Sequence, residues 1–221
     1  MCAIALTGCA AAPIPTPPRS PSSAPSDGPH AAPRATPEPQ TVDPLAAVTS
    51  IVVRPENLDL NDADGTTIQE LSYDADAAEF VAALSGVLHA TPAVAEKPGG
   101  IEWSPSTEYV WPGVTLRDDH ERGDYQQDMN LEVEFSLPMV GLGVSVATIQ
   151  GFQPGADLEW LARWMDEPFS AENFNVVQAE HGPEIGPRTH DTYANANSVA
   201  VRDFTGSTVI YAPWNFGIGH V

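Results

Sequence analysis

Between Val48 and Val221 the chain contains no cysteine; both of its cysteines, Cys2 and Cys9, lie in the first nine residues. That excludes a disulfide framework and a thiolate metal centre from the larger part of the molecule. Basic residues are scarce too: the 221-residue sequence has nine Lys plus Arg against 30 Asp plus Glu, a formal charge of -21, and Lys97 is its single lysine. A field of that sign repels phosphate backbones and anionic headgroups, which argues against nucleic acid as a partner. Long apolar runs are missing as well. After residue 10 the longest, Met139 to Ile149, is too short to span a bilayer and holds Gly141 and Gly143. Nor is there a G-x-S-x-G elbow, an H-E-x-x-H pair, a P-loop or a dinucleotide fingerprint.

Residues 1–47 carry no aromatic side chain, whereas Val48 to Val221 hold all five Trp, all five Tyr and all seven Phe. Half of the 22 prolines, eleven, fall between Ala10 and Ala47, amid Ala, Ser and Thr, with only Ile14, Val42 and Leu45 to offer much apolar surface. Such a stretch cannot offset its ordering entropy, so residues 10–47 read as a disordered linker and 48–221 as a single globular domain. The domain itself has 27 acidic against seven basic residues. Surplus carboxylates of this kind keep a displayed domain soluble and monomeric, and leave a basic partner or divalent cations as the sharper alternative.

The first ten residues are MCAIALTGCA. Leu6-Thr7-Gly8-Cys9, after an apolar run, resembles the lipobox of bacterial lipoproteins. The resemblance implies that residues 1–9 are a signal-peptide remnant ending in the lipobox. It further implies cleavage before Cys9, diacylation of its sulfur and attachment of the protein to a membrane through that lipid. Small Thr7 and Gly8 let a peptidase reach the backbone, and two acyl chains, at about 0.8 kcal/mol per buried methylene, anchor stably where one would not. No Lys or Arg precedes Cys9. A signal peptide starts with a charged segment, so either the signal begins upstream of Met1 or the tetrapeptide is coincidental. With a lipid on Cys9, the Pro-rich segment becomes a stalk; in polyproline geometry 38 residues at about 3.1 Å each reach on the order of 100 Å.

Within the domain, Thr49 to Leu60 and Thr66 to Tyr73 read as strands joined by a turn at Asn61 to Gly65. Asp74 reads as the N-cap of a helical pattern, Ala77, Phe80, Val81, Leu84, Val87 and Leu88, that Pro92 stops. Thr107 to Trp111 and Val114 to Arg117 flank a Pro112-Gly113 turn. Leu131, Val133, Phe135 and Leu137 alternate with polar residues as a half-buried strand, with Gly143 to Gln150 as its expected partner. Asp157 to Met165 reads as a second short helix, Phe174 to Ala179 as a strand, and Ser198 to Phe204 with Thr208 to Pro213 as a final hairpin. Hairpins followed by helices predict an α+β fold, mainly antiparallel sheet with two helices packed on it.

Asn61 to Gly65 has the Asp and Gly of a calcium loop but no carboxylate at its first or twelfth place, so it reads as a backbone turn. Asp118, Asp119, His120 and Asp124, with Glu121 and Asp128, form the densest group of hard ligands and are the candidate site for a divalent cation; no other cofactor is implied. His181, His190 and Asp191 share a Gly/Pro-rich stretch where a His-Asp pair would orient a base, with no nucleophile marked by context. Trp160 and Trp164 stand four apart, off the leucine stripe of the second helix, and are the candidate binding residues. Exposed aromatics in such positions stack on sugars or anchor partners; packing against sheet edges is the plainer role for Trp103, Trp111 and Trp214.

Taken together, the chain resembles small secreted lipoproteins of high-GC Gram-positive bacteria. Its expected role is that of a lipid-anchored extracytoplasmic module, non-catalytic, binding an envelope component or a protein partner. The alternative is a metal-dependent or His-based hydrolase acting on an envelope substrate. A transporter's solute-binding protein is disfavoured, because 174 residues rarely make two lobes around a ligand.

Overall fold

The computed structural model describes residues 43–100, 104–119, 129–166, 176–185, 196–203 and 206–214. Twelve strands and two helices are assigned among them, and nearly all strand pairs are antiparallel, as an α+β fold requires. They belong to one compact unit, Thr41–Val221.

A 3-10 turn, Pro44–Ala47, comes first, capped by Asp43 and packing Leu45 against the core. Ordered structure thus begins ahead of Val48. β1 (Ser50–Val53) and β2 (Asn57–Asn61) then form a hairpin, closed by the Arg54 N–H donating to the Asn57 carbonyl at 3.0 Å. The sequence alone suggested one strand from Thr49 to Leu60. Pro55 breaks it, since it has no N–H to give a ladder. β3 (Thr67–Ser72) follows the expected turn, where Asp62 Oδ1 accepts from Asp64 N and Thr66 N, and Gly65 takes φ +79°. Asp62 is therefore satisfied by backbone donors, as in an Asx turn.

α1 (Ala77–Leu88) buries Phe80, Ala83, Leu84, Val87 and Leu88, the stripe expected of a helix on a core. Its N-cap is Asp76, whose side chain accepts from Ala78 N at 2.8 Å; Asp74 instead stays in the turn after β3, its N–H donating to Ser72 Oγ. Tyr73 stacks on Phe80 at 6.1 Å between centroids.

β4 (Ala93–Lys97), a strand with no alternation between faces to mark it, edges a seven-stranded sheet. β5 (Ser106–Trp111) and β6 (Val114–Asp119) make the Pro112-Gly113 hairpin, and β7 (Leu131–Phe135) joins them with Leu131, Val133 and Phe135 fully buried. The partners expected for β7 prove different. β8 (Met139–Val140) and β9 (Val144–Thr148) leave this sheet and pair with each other, β9 also running parallel to β1 with Ser50 opposite Ser145. The five-stranded sheet thus has the order β3-β2-β1-β9-β8.

α2 (Leu158–Met165) buries Leu158, Leu161 and Ala162 and packs against β10 (Val176–Glu184) and β11 (Ala196–Asp203). β12 (Thr208–Trp214) completes the seven-stranded order β10-β11-β12-β7-β6-β5-β4. One continuous core draws on both sheets and both helices. Arg54 adds a polar tie between sheets: its Nε and Nη2 donate to the Glu180 carboxylate on β10, the Nη2 contact at 2.7 Å, and Nη1 reaches Asp59 on β2. The Glu180 hydrogen bond raises the Arg54 pKa further above its ordinary value.

Candidate functional site

The acidic group splits at the edge of the described residues. Asp118 and Asp119 are the last residues of β6, opposite Thr107 and Ser106, because pairing runs two residues past Arg117. The Asp119 N–H donates to the Asn130 carbonyl at 2.8 Å. His120, Glu121, Asp124 and Asp128 lie outside the described residues. Among the described residues no three or more His, Cys, Asp or Glu side chains gather as a metal site would need. His181, expected in an irregular stretch, is part of β10 and faces Ser198 across the ladder; His190 and Asp191 lie outside the described residues.

The tryptophans sort by environment. Trp111 is buried and its Nε1–H donates to the Ala90 carbonyl at 3.0 Å, a packing role. Trp214 is part of β12, its carbonyl accepting from Ser198 Oγ, and Trp103 lies outside the described residues. Trp160 and Trp164 differ from these. They are 52% and 56% exposed on α2, their rings 6.0 Å apart and within 6° of parallel.

The helix that carries them is firmly seated. Asp157 caps it, its Oδ1 accepting from Trp160 N at 3.1 Å, and Asp166 closes it in the left-handed region at φ 56°. Ahead of the cap, the Ala156 carbonyl accepts from Thr208 Oγ1 at 2.7 Å, while the Gly155 N–H donates to the Thr208 carbonyl at 2.9 Å. The start of α2 is thereby tied to β12.

Beside the indoles runs a shallow groove of about 180 Å3, with buried Phe152 and Leu161 at its floor and Gln150 and Gln153 along it. Phe152 is pinned by two bonds to Thr148: its carbonyl accepts from the Thr148 N–H at 2.9 Å, and its N–H donates to Thr148 Oγ1 at 3.3 Å. Gln150 Nε2 donates to the Ala179 carbonyl on β10. A second, polar depression of about 320 Å3 opens at the start of α2 between Asp157, Glu159, Asp203 and Ser207, sharing Ala156 as a wall with the first. No protein-family model, curated protein or solved structure matches the chain. The chemistry of α2 is therefore read from its own residues.

Charge around α2 differs from that of the sheets. Arg54, Lys97, Arg117 and Arg202 all pair with carboxylates, with Arg202–Glu134 at 2.6 Å, Arg54–Glu180 at 2.7 Å and Lys97–Glu108 at 2.9 Å. Among the described residues, Arg163 is the one Lys or Arg without a carboxylate partner; its Nε donates only to the Glu159 carbonyl at 3.4 Å. It is exposed, and helical spacing puts it on the side of α2 that shows Trp160 and Trp164. Displaced protonation occurs elsewhere. Burial pushes the Tyr73 and Tyr211 hydroxyls well above the ordinary tyrosine range, aided by Asp59 and Glu180 at Tyr73 and by Glu132 at Tyr211.

The pattern of the sequence marked the two indoles but not their surroundings. Gln150, Phe152 and Gln153 belong to a connection with no periodicity, and Arg163 became notable only once its four counterparts were seen to be paired.

Proposed function

We propose that the protein is a lipid-anchored binding module held at the outer face of a cell membrane, contacting an envelope component through Trp160 and Trp164. The anchor rests on Leu6-Thr7-Gly8-Cys9 and the Pro-rich segment behind it. The observation that carries the binding role is the parallel, half-exposed indole pair on a helix tied down at its start. Exposing two large aromatics forfeits the apolar burial worth about 1.5–3 kcal/mol for a single side chain of comparable size, so a bound partner is the natural cover for them.

Two measurements test this. In the native host, the full chain is expected in the membrane fraction with an acylated N-terminal Cys9, and Cys9→Ala in the soluble fraction; an unmodified thiol on a soluble protein would remove the anchor. Purified full chain should co-sediment with isolated envelopes, and the Trp160→Ala/Trp164→Ala variant should not. Unchanged co-sedimentation would remove the role given to α2.

A further inference from the structure

We infer that the turn between β8 and β9 seats in the surface of a lipid bilayer, Leu142 leading, so that the Trp160–Trp164 ridge is held facing away from the membrane. The inference rests on the reading of the protein as lipid-anchored and adds how the domain stands on its membrane.

Between Glu134 and Asp157 the sequence has no Asp, Glu, Lys, Arg or His, a run of 22 residues in a chain of formal charge -21. Three large apolar side chains stand out within its first eight residues: Leu137 is 46%, Met139 57% and Leu142 81% exposed. Leu142 is held out by its neighbours. Gly141 and Gly143 take φ +55° and +103°, and a Cβ on Gly141 would lie 2.8 Å from the Leu88 Cα, so the turn rests directly on the last residue of α1. The Met139 methyl lies beside Gly143, which joins it to Leu142 in one patch. Single exposed apolar residues are ordinary, whereas a patch of them marks a contact surface.

Topology selects the occupant. β1 and β9 lie side by side and parallel, Ser50 opposite Ser145, and the Ser145 N–H donates to the Thr49 carbonyl at 3.0 Å. The residues that enter β1 and the turn that enters β9 therefore share one end of the five-stranded sheet. The entering segment also lies against the last turn of α1, where Leu45 Cδ1 comes within 3.5 Å of the place a Gly86 Cβ would occupy. Through that segment runs the covalent path to Cys9, with 33 residues between Cys9 and Asp43. A lipid on Cys9 thus brings this end to the bilayer and keeps it there at high effective concentration. A second copy fits less well, since a stable interface uses about 20–30 residues a side and both domains carry the same strong charge. Trp160, Trp164 and their groove follow the other end of β9, beyond Thr148. Five strand residues at about 3.4 Å each put them some ~17 Å from the turn. Charge sets the lipid: Asp43, Asp62 and Asp64 stand at the end that carries the turn, so insertion is apolar and prefers a zwitterionic surface to an anionic one.

The test uses the full chain with Cys2→Ser, its Cys9 thiol coupled to a maleimide phospholipid in phosphatidylcholine vesicles. Hydrogen exchange compares it with the thiol-capped protein free in solution. Coupling should slow the amides of residues 139–144 about fivefold and leave those of residues 158–165 within about twofold. Leu142→Asp should return residues 139–144 to the free rate, with circular dichroism and thermal midpoint unchanged, and Leu142→Trp should be quenched by brominated phosphatidylcholine more than the parent chain is. The slowing should survive a rise in salt from 50 to 500 mM and weaken when half the lipid is phosphatidylglycerol. Equal rates in coupled and free protein, or slowing that Leu142→Asp retains, overturn the inference. So does slowing of residues 158–165 in their place, or slowing in the uncoupled protein as its concentration rises, which would make a second copy the occupant. Because the lipid is supplied through the maleimide, an unmodified Cys9 in the native host removes the anchor reading alone, while the vesicle result still reports on the turn.

Discussion

The two helices are built with one grammar and used in opposite ways. Each starts at an aspartate whose side chain accepts from its first turn, Asp76 for α1 and Asp157 for α2, and each ends on a non-glycine residue in the left-handed region, His89 and Asp166. α1 spends its aromatic inward: Phe80 is fully buried on Tyr73. α2 turns both of its aromatics outward and stacks them on each other. Apolar content is therefore not what drives Trp160 and Trp164 to the surface, since Leu158, Leu161 and Ala162 already supply the packing stripe of α2.

That contrast is open to measurement. Phe80→Ala should lose about 3–5 kcal/mol in denaturant unfolding, the range for truncating a buried aromatic, whereas Trp160→Ala or Trp164→Ala should lose no more than about 1 kcal/mol. Comparable losses would break the contrast, because the indoles would then be structural.

A smaller effect sharpens the α1 side. The Tyr73 hydroxyl is fully buried with no hydrogen-bond partner among the described residues, so Tyr73→Phe should gain about 1 kcal/mol at neutral pH. Burial keeps this hydroxyl protonated in the folded state above the usual tyrosine pKa of about 10, where the unfolded chain ionises. The unfolded state then binds fewer protons, and stability falls as pH rises beyond that value. Wild-type unfolding midpoints should drop between roughly pH 9.5 and 11, less steeply in Tyr73→Phe; identical slopes would refute the assignment, with Tyr211 accounting for what remains.

If the capping grammar is shared, Asp76→Ala and Asp157→Ala should each cost about 1 kcal/mol, measured the same way, and the two values should agree within a factor of two. The smallest expected change is a gain. Asp166→Gly and His89→Gly relieve a left-handed residue and should stabilise by about 0.5 kcal/mol net, as glycine's looser unfolded chain offsets part of the relief.

Local signals in the sequence carried far. The alternation of Leu131, Val133 and Phe135 marked β7, Pro112-Gly113 marked a hairpin, and Asp157, read as the first residue of the second helix, is the N-cap one residue ahead of it. Partnership was less visible. Alternation shows that Val144, Val146 and Thr148 share a buried face but not which strand lies beside them, and their neighbour is β1, close to the far end of the described chain. β4 escaped notice because all five of its residues are exposed and give no contrast between faces. At α2, helical period placed Trp160 and Trp164 off the buried stripe. Their stacking, and the groove beside them, depend on a connection held by Thr148 and Thr208 through bonds no pattern reveals.

Neither layer of this domain is drawn from an unbroken run of sequence. On one side of the exposed Gly99-Gly100 step lie β1 to β4, on the other β5 to β12, and each sheet takes strands from both sides. A protease that nicks the diglycine would cut the covalent thread yet leave two interlocked pieces, each holding the missing ladder of the other. They should migrate as one particle in a native gel and come apart only in denaturant.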